Sequence, residues 1–203
     1  MNWLSELQID GLTEVFNIGA GRAAASLSEI VCDEVQLSVP RLQLYNSSEI
    51  NAATLTLNSL RLGAVKQRFS GPFSADAMLL FTEERALEIV HDMMGSQVSI
   101  EDVAEFEQEA MCELGNIILN ACLSSIANLL NLTLESSLPS YTIGDTDGVL
   151  RGIISDANQP LMLVLHIDLS IENRHSQGLL VFLLSTSSLQ KLVSHIDRFI
   201  SGI

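Results

Sequence analysis

From residue 10 onward the apolar residues return at a helical interval. At about 100° per residue, Leu12, Val15, Phe16, Gly19, Ala20, Ala23, Leu27, Ile30 and Val31 fall on one broad arc, and Asp10, Glu14, Asn17, Gly21 and Ser28 lie opposite. The pattern predicts a helix over 10–31, with Asp10 as its N-cap behind a lead-in from Trp3 to Ile9. Period-two alternation then marks Glu34 to Tyr45 as strand, break at Pro40, strand. Ser48 to Asn58 has no clear period and reads as a short helix at most. Ala64 to Phe69 and Ala77 to Phe81 alternate as strands on either side of the turn Ser70-Gly71-Pro72. Thr82 caps a helix running to Met94, with Glu83 and Glu84 at its positive end and Gly95 as its stop.

The second hundred residues replay this order. Ser99 opens a helix to Leu130 whose apolar arc holds Met111, Leu114, Ile118, Leu119, Cys122, Ile126, Leu129 and Leu130. Glu109, Glu113, Asn116 and Asn120 lie on its other side. Strands are predicted over 132–139, 161–169 and 179–184, and a closing helix over 186–200. Each half reads helix, three strands, helix. The expectation is one α+β domain over 1–203, a pseudo-two-fold duplication with repeats at 10–95 and 109–200, its antiparallel sheet covered by helices.

The duplication is sharpest in one motif. Glu14-Val15-Phe16-Asn17 returns 99 positions later as Glu113-Leu114-Gly115-Asn116, and a proline (Pro40, Pro139) stands 23 positions after each asparagine. A lone Glu-x-x-Asn on a helix is usually a solvated face. A second copy that keeps both residue types and the distance to a proline points instead to two equivalent sites. Residues three apart sit on neighbouring turns of one face, so each Glu and Asn can meet a partner side by side. The amide offers a donor and an acceptor and can hold a water in a chosen orientation. The carboxylate can anchor a lysine or arginine. Neither is a strong nucleophile, and both suit phosphoryl hydrolysis, where placement of water and electrostatics supply most of the catalysis. Gly21, Ala24 and Ala25 are small enough to admit a partner backbone. Ile18 and Ile117 stand off the apolar arc beside the pairs, as candidate contacts where lysine should leave the melting temperature nearly unchanged.

Composition narrows the setting. With 47% hydrophobic and 17% charged residues the chain folds rather than staying disordered. Asn, Ser, Glu or Gly interrupts each apolar run before the roughly 20 residues of a membrane span, and no basic-then-apolar secretory signal opens the chain. Cys32, Cys112 and Cys122 are odd in number and read as reduced thiols of a cytoplasmic protein. A net charge of −15 argues against nucleic acid, and suits either a positively charged partner or simple solubility. The four histidines lack metal-ligand spacing. The acidic run Glu101, Asp102, Glu105, Glu107 and Glu109 reads as a solvated helix start, and it disfavours a reactive thiolate at Cys112. Gly19-Ala20-Gly21 lacks the preceding strand that a dinucleotide loop needs.

The two motifs resemble the signature of the CheC, CheX and FliY phosphatases of bacterial chemotaxis: Asp or Ser, three residues, Glu, two residues, Asn, and the distant proline. Asp10, Glu14, Asn17 and Pro40 match it throughout, and Asn17-Ile-Gly-Ala-Gly-Arg-Ala-Ala is very like the CheC helix. The second copy keeps Glu113, Asn116 and Pro139 but has Glu109 where Asp or Ser is usual. The resemblance spans essentially the whole chain, and two intact pairs are more like CheC than the variants with one. It implies hydrolysis of the aspartyl phosphate of a response regulator like CheY. Asn17 and Asn116 would enter the regulator's active site and orient the attacking water, and Glu14 and Glu113 would pair with a regulator lysine. Asp10, Ile18, Gly21, Glu109 and Ile117 would border that partner. Magnesium would belong to the regulator, so no cofactor or metal is expected on this chain. The resemblance also implies binding of CheD, a receptor deamidase, and a non-catalytic adaptor for CheD or another signalling protein is the rival reading. A flagellar switch component is a weaker third, because the chain has no room for an added switch domain. A cytoplasmic monomer without nucleic-acid or membrane contacts completes the expectation.

Overall fold

A computed structural model describes residues 4–55, 59–94, 100–156, 161–171 and 174–201. The first helix, α1 (Glu6–Val31), begins earlier than its apolar arc suggests. Ser5 is the N-cap: its hydroxyl accepts from the Gln8 backbone N–H, and the Gln8 side chain accepts from the Ser5 N–H. Asp10 is therefore an exposed residue inside the helix and not its cap. The helix ends at Cys32, whose φ of 55° is left-handed.

Next come β1 (Val35–Asn46), β2 (Arg61–Ser70), β3 (Ala75–Thr82) and α2 (Glu83–Met94). Pro40 does not split β1 in two. It sits in a register shift between Ser38 and Arg41, a bulge that leaves the strand continuous. The second half holds α3 (Ile100–Leu129), β4 (Glu135–Ser136), β5 (Ser140–Asp145), α4 (Thr146–Asp156), β6 (Leu161–Ile171), β7 (Arg174–Leu184) and α5 (Thr186–Ser201). The strand expected over 132–139 is reduced to β4, and pairing resumes beyond Pro139 in β5. Helix α4 was not anticipated: glycines at 148 and 152 dilute its helical pattern. The expected helix stop Gly95 and helix start Ser99 lie outside the described residues.

All strand pairings are antiparallel, in the order β1-β6-β7-β3-β2, with β4 and β5 both on the far side of β2. This order is symmetric about the β7–β3 pair. The first strand of each half crosses to pair with the second strand of the other, β1 with β6 and β5 with β2. The registers correspond as well: Leu37↔Leu169 and Arg41↔His166 on one side match Ser136↔Phe69 and Ser140↔Lys66 on the other. The outer strand therefore carries one extra residue beside its proline in both halves.

The inner sheet face is buried under α1, α3, α2 and α5 in one large apolar cluster, where Phe16 stacks on Phe182 at a centroid distance of 5.3 Å. Helices α1 and α3 touch backbone to backbone, since a Cβ added at Gly19 would lie 2.6 Å from Cys122 Cα. Burial between sheet and α3 widens the covered arc of α1, so Ala24 is core and not a contact for a partner. A smaller apolar cluster on the outer face, including Met78, Val164 and Val181, is closed by Ile50, Leu55 and Leu150 of α4. The stretch 106–128 of α3 is long and apolar enough to span a membrane by length and composition, contrary to the count of interruptions along the sequence. Here its apolar arc packs in the core.

Candidate functional site

Each motif helix buries the two residues between its Glu and Asn, Val15 and Phe16 in α1 and Leu114 and Gly115 in α3, and so turns the pair outward. Glu14 and Glu113 are exposed, and Asn17 and Asn116 are half-buried. Asp10, Gly21 and Glu109 are exposed too, as is Ile18 at 41%. Ile117 differs: it is half-buried against the core, so it is not the free contact that its place off the apolar arc suggests. Gly115 brings α3 down onto β2, where a Cβ would collide with the Val65 side chain.

The two asparagines occupy corresponding positions but have different partners. Asn17 grips the bulge of β1. Its Nδ2 donates to the Val39 carbonyl at 3.2 Å, and its Oδ1 accepts from the Val39 N–H at 2.8 Å. Val39 immediately precedes Pro40, which explains the fixed spacing from asparagine to proline in this half: the side chain serves a strand residue that the bulge removes from the paired rungs. In the second half the residue before the proline, Leu138, is 90% exposed. Asn116 makes no bond to it. Asn116 Oδ1 instead accepts from Asn120 Nδ2 at 2.7 Å and from Gln67 Nε2 at 3.4 Å. Gln67 also donates to the Ser137 carbonyl at 2.8 Å. The two pairs thus correspond in position and differ in their hydrogen-bond partners.

Around the second pair lies an open cleft of about 800 Å³, lined by Met93, Phe106, Glu109, Cys112, Glu113, Asn116, Leu138 and Pro139. Exposed Phe106 and Leu138 give it apolar edges, and Glu109 and Glu113 give it negative charge. The Cys112 thiol is pushed up from its usual range, the direction expected, but by burial and not by the acidic run, and this favours the protonated form. Glu107 takes no part in the cleft lining: it accepts the Tyr141 hydroxyl, tying β5 to α3. The side chains of Glu101, Asp102 and Glu105 lie outside the described residues. A larger cleft, about 1180 Å³, crosses the polar end of the outer sheet face, but of the two motifs it touches only Pro40. Among the described residues no group of three or more His, Cys, Asp or Glu side chains could hold a metal ion.

Sequence reasoning placed Asn120 on the motif face without a role and passed over Gln67, Phe106 and Leu138. Gln67 left a signal: it is an amide on the inward register of β2 between Val65 and Phe69, and it is only 1% exposed.

No family model matches the chain. It is similar to the CheY-P phosphatase CheC of Bacillus subtilis, at 26% identity over 186 residues covering 88% of this chain and 87% of that protein. Its fold is shared with FliY of Thermotoga maritima, with a TM-score of 0.80 at 20% identity, covering 97% of this chain and 99% of the other. It is shared also with CheX of Borrelia burgdorferi, solved as a CheX-CheY-BeF3-Mg2+ complex, with a TM-score of 0.53 at 15% identity, covering 85% and 96%. These likenesses support the CheC-type resemblance read from the two motifs, and the α+β fold expected from the order and periodicity of the elements.

Proposed function

We propose that this chain hydrolyses the aspartyl phosphate of a CheY-like response regulator. Water attacks phosphorus, the acyl-phosphate P–O bond breaks, and the regulator's aspartate leaves as carboxylate while inorganic phosphate is released. The reaction needs little covalent help, so the catalyst's task is to place the water and balance charge. An outward asparagine amide suits the first, since one lone pair of a water can accept from it while the other faces phosphorus. An exposed glutamate three residues earlier suits the second by holding a regulator lysine beside the phosphate. Magnesium, in this reading, is carried by the regulator.

The observation that carries the reading is the second pair: Glu113 and Asn116 lie together in an open cleft with exposed apolar edges, Phe106 and Leu138. Such a cleft can receive a protein surface, and docking would exclude bulk water from around the phosphate while the amide keeps the attacking one. The likeness to a CheY-P phosphatase over most of both chains supports the same reaction.

The test is direct. Candidate regulators are phosphorylated with a small phosphodonor and magnesium, and phosphate loss is followed with and without this chain. The reading expects acceleration that vanishes in the Asn17→Ala/Asn116→Ala double variant. Unchanged decay with every regulator would refute it and leave the adaptor role.

A further inference from the structure

We infer that Gln67, with Asn120, is a positioning residue that makes the second site the working one; the inference rests on the phosphatase reading above. The Ser137 carbonyl can only accept, so the Gln67 end facing it at 2.8 Å must be Nε2. That same Nε2 faces Asn116 at 3.4 Å, which must then present Oδ1. Asn120 adds an independent constraint. Its Nδ2 donates to the Asn116 backbone carbonyl at 2.8 Å and also to Asn116 Oδ1 at 2.7 Å. Gln67 Oε1 lies 3.4 Å from the same Asn120 Nδ2, whose two hydrogens serve the two shorter bonds, so this is a third and weaker contact. The flip of Asn116 is thereby set by acceptors that cannot change role. Oδ1 is held inward, and Nδ2, which has no hydrogen-bond partner among the described residues, is left for the cleft.

The first site lacks this device. By register, Ile167 of β6 stands where β2 has Gln67, because Arg41↔His166 and Leu37↔Leu169 match Ser140↔Lys66 and Ser136↔Phe69. Gly21 stands where α3 has Asn120, 99 positions on. Without those partners, both ends of the Asn17 amide are taken by Val39. One Nδ2 hydrogen of Asn17 is thus committed to the strand and its amide is pinned there, whereas both Nδ2 hydrogens of Asn116 face no hydrogen-bond partner among the described residues. Half of the duplication therefore uses its asparagine to brace the sheet, and the other half has a buried glutamine that helps hold its asparagine by Oδ1 and leaves Nδ2 to the cleft.

The test compares wild type, Asn17→Ala, Asn116→Ala, Gln67→Ile (the residue found at the corresponding place in the other half) and Gln67→Met, measuring kcat and KM for a phosphorylated regulator together with the melting temperature. Asn116→Ala is expected to remove most of the acceleration and Asn17→Ala to retain most of it. Both Gln67 variants are expected to lower kcat roughly 10- to 100-fold with KM nearly unchanged, the signature of a misplaced group rather than lost binding. Asn120→Ala removes the other hold on Oδ1 from a helix surface, outside the sheet, and should lower kcat in the same way if the Gln67 variants melt early. Wild-type kcat in folded Gln67 and Asn120 variants would overturn the inference while leaving the phosphatase reading intact. So would an enzyme disabled by Asn17→Ala and not by Asn116→Ala. No acceleration by wild type with any regulator removes the reading itself, and the inference with it.

Discussion

Replacing Asn17 by alanine should destabilise the fold far more than replacing Asn116, although the two occupy matched positions. Asn17 is bonded at both ends to the backbone of Val39, a residue only 1% exposed and set in the bulge between Ser38 and Arg41. Alanine would strand a buried N–H and a buried C=O, each costing about 1–3 kcal/mol. The neighbouring Pro40 has no N–H with which to repair the strand. Because Pro40 and Arg41 are exposed, water can reach part of the bulge, so the lower half of the summed range, about 2–4 kcal/mol, is the working value. For a chain of this size that corresponds to a fall in melting temperature of about 4–16 °C. Asn116→Ala leaves Gln67 bonded to the Ser137 carbonyl and Asn120 bonded to the backbone carbonyl of residue 116, so its cost should stay below about 1 kcal/mol. Urea titrations of both variants decide the matter, and they require no regulator and no activity. Equal midpoints would refute the reasoning that the two asparagines have taken different jobs.

Ile18→Lys and Leu138→Lys change exposed side chains, 41% and 90% accessible, and should weaken regulator binding severalfold in a titration while leaving the melting temperature within a degree or two. Ile117→Lys, half-buried against the core, should instead lower the melting temperature clearly. Gly19→Ala places a methyl 2.6 Å from Cys122 Cα, so α1 and α3 must separate; thermal unfolding should report a loss of about 1–3 kcal/mol or more. Burial pushes the Cys122 thiol up to about 12, from 9.0 when unfolded. The unfolded chain therefore releases this proton first as pH rises, so stability is full below pH 9 and falls between 9 and 12, by up to about 1.4 kcal/mol per unit. Cys122→Ala should flatten that part of a denaturation series. Some dependence should remain, because burial and the bond to Glu107 also raise Tyr141.

Much of this molecule could be read along the chain. The amphipathic arcs of α1 and α3, the alternation in β2 and β3, and the repeat of Glu, Asn and proline depend on periods and spacings that are properties of the chain itself. So does the outward direction of Glu14 and Glu113: helical geometry turns them from the core wherever the helix packs. Local rules went wrong where two signals competed. A capping box at Ser5 outranked Asp10, a bulge absorbed Pro40, and paired glycines obscured α4. What each asparagine bonds to was settled only by tertiary structure. Its partners are Val39 in one half and Gln67 and Asn120 in the other, and Gln67 reaches Asn116 across 49 positions of chain. Spacing repeats identically in two copies, whereas a hydrogen bond depends on which side chain the neighbouring strand presents: isoleucine at 167, glutamine at 67.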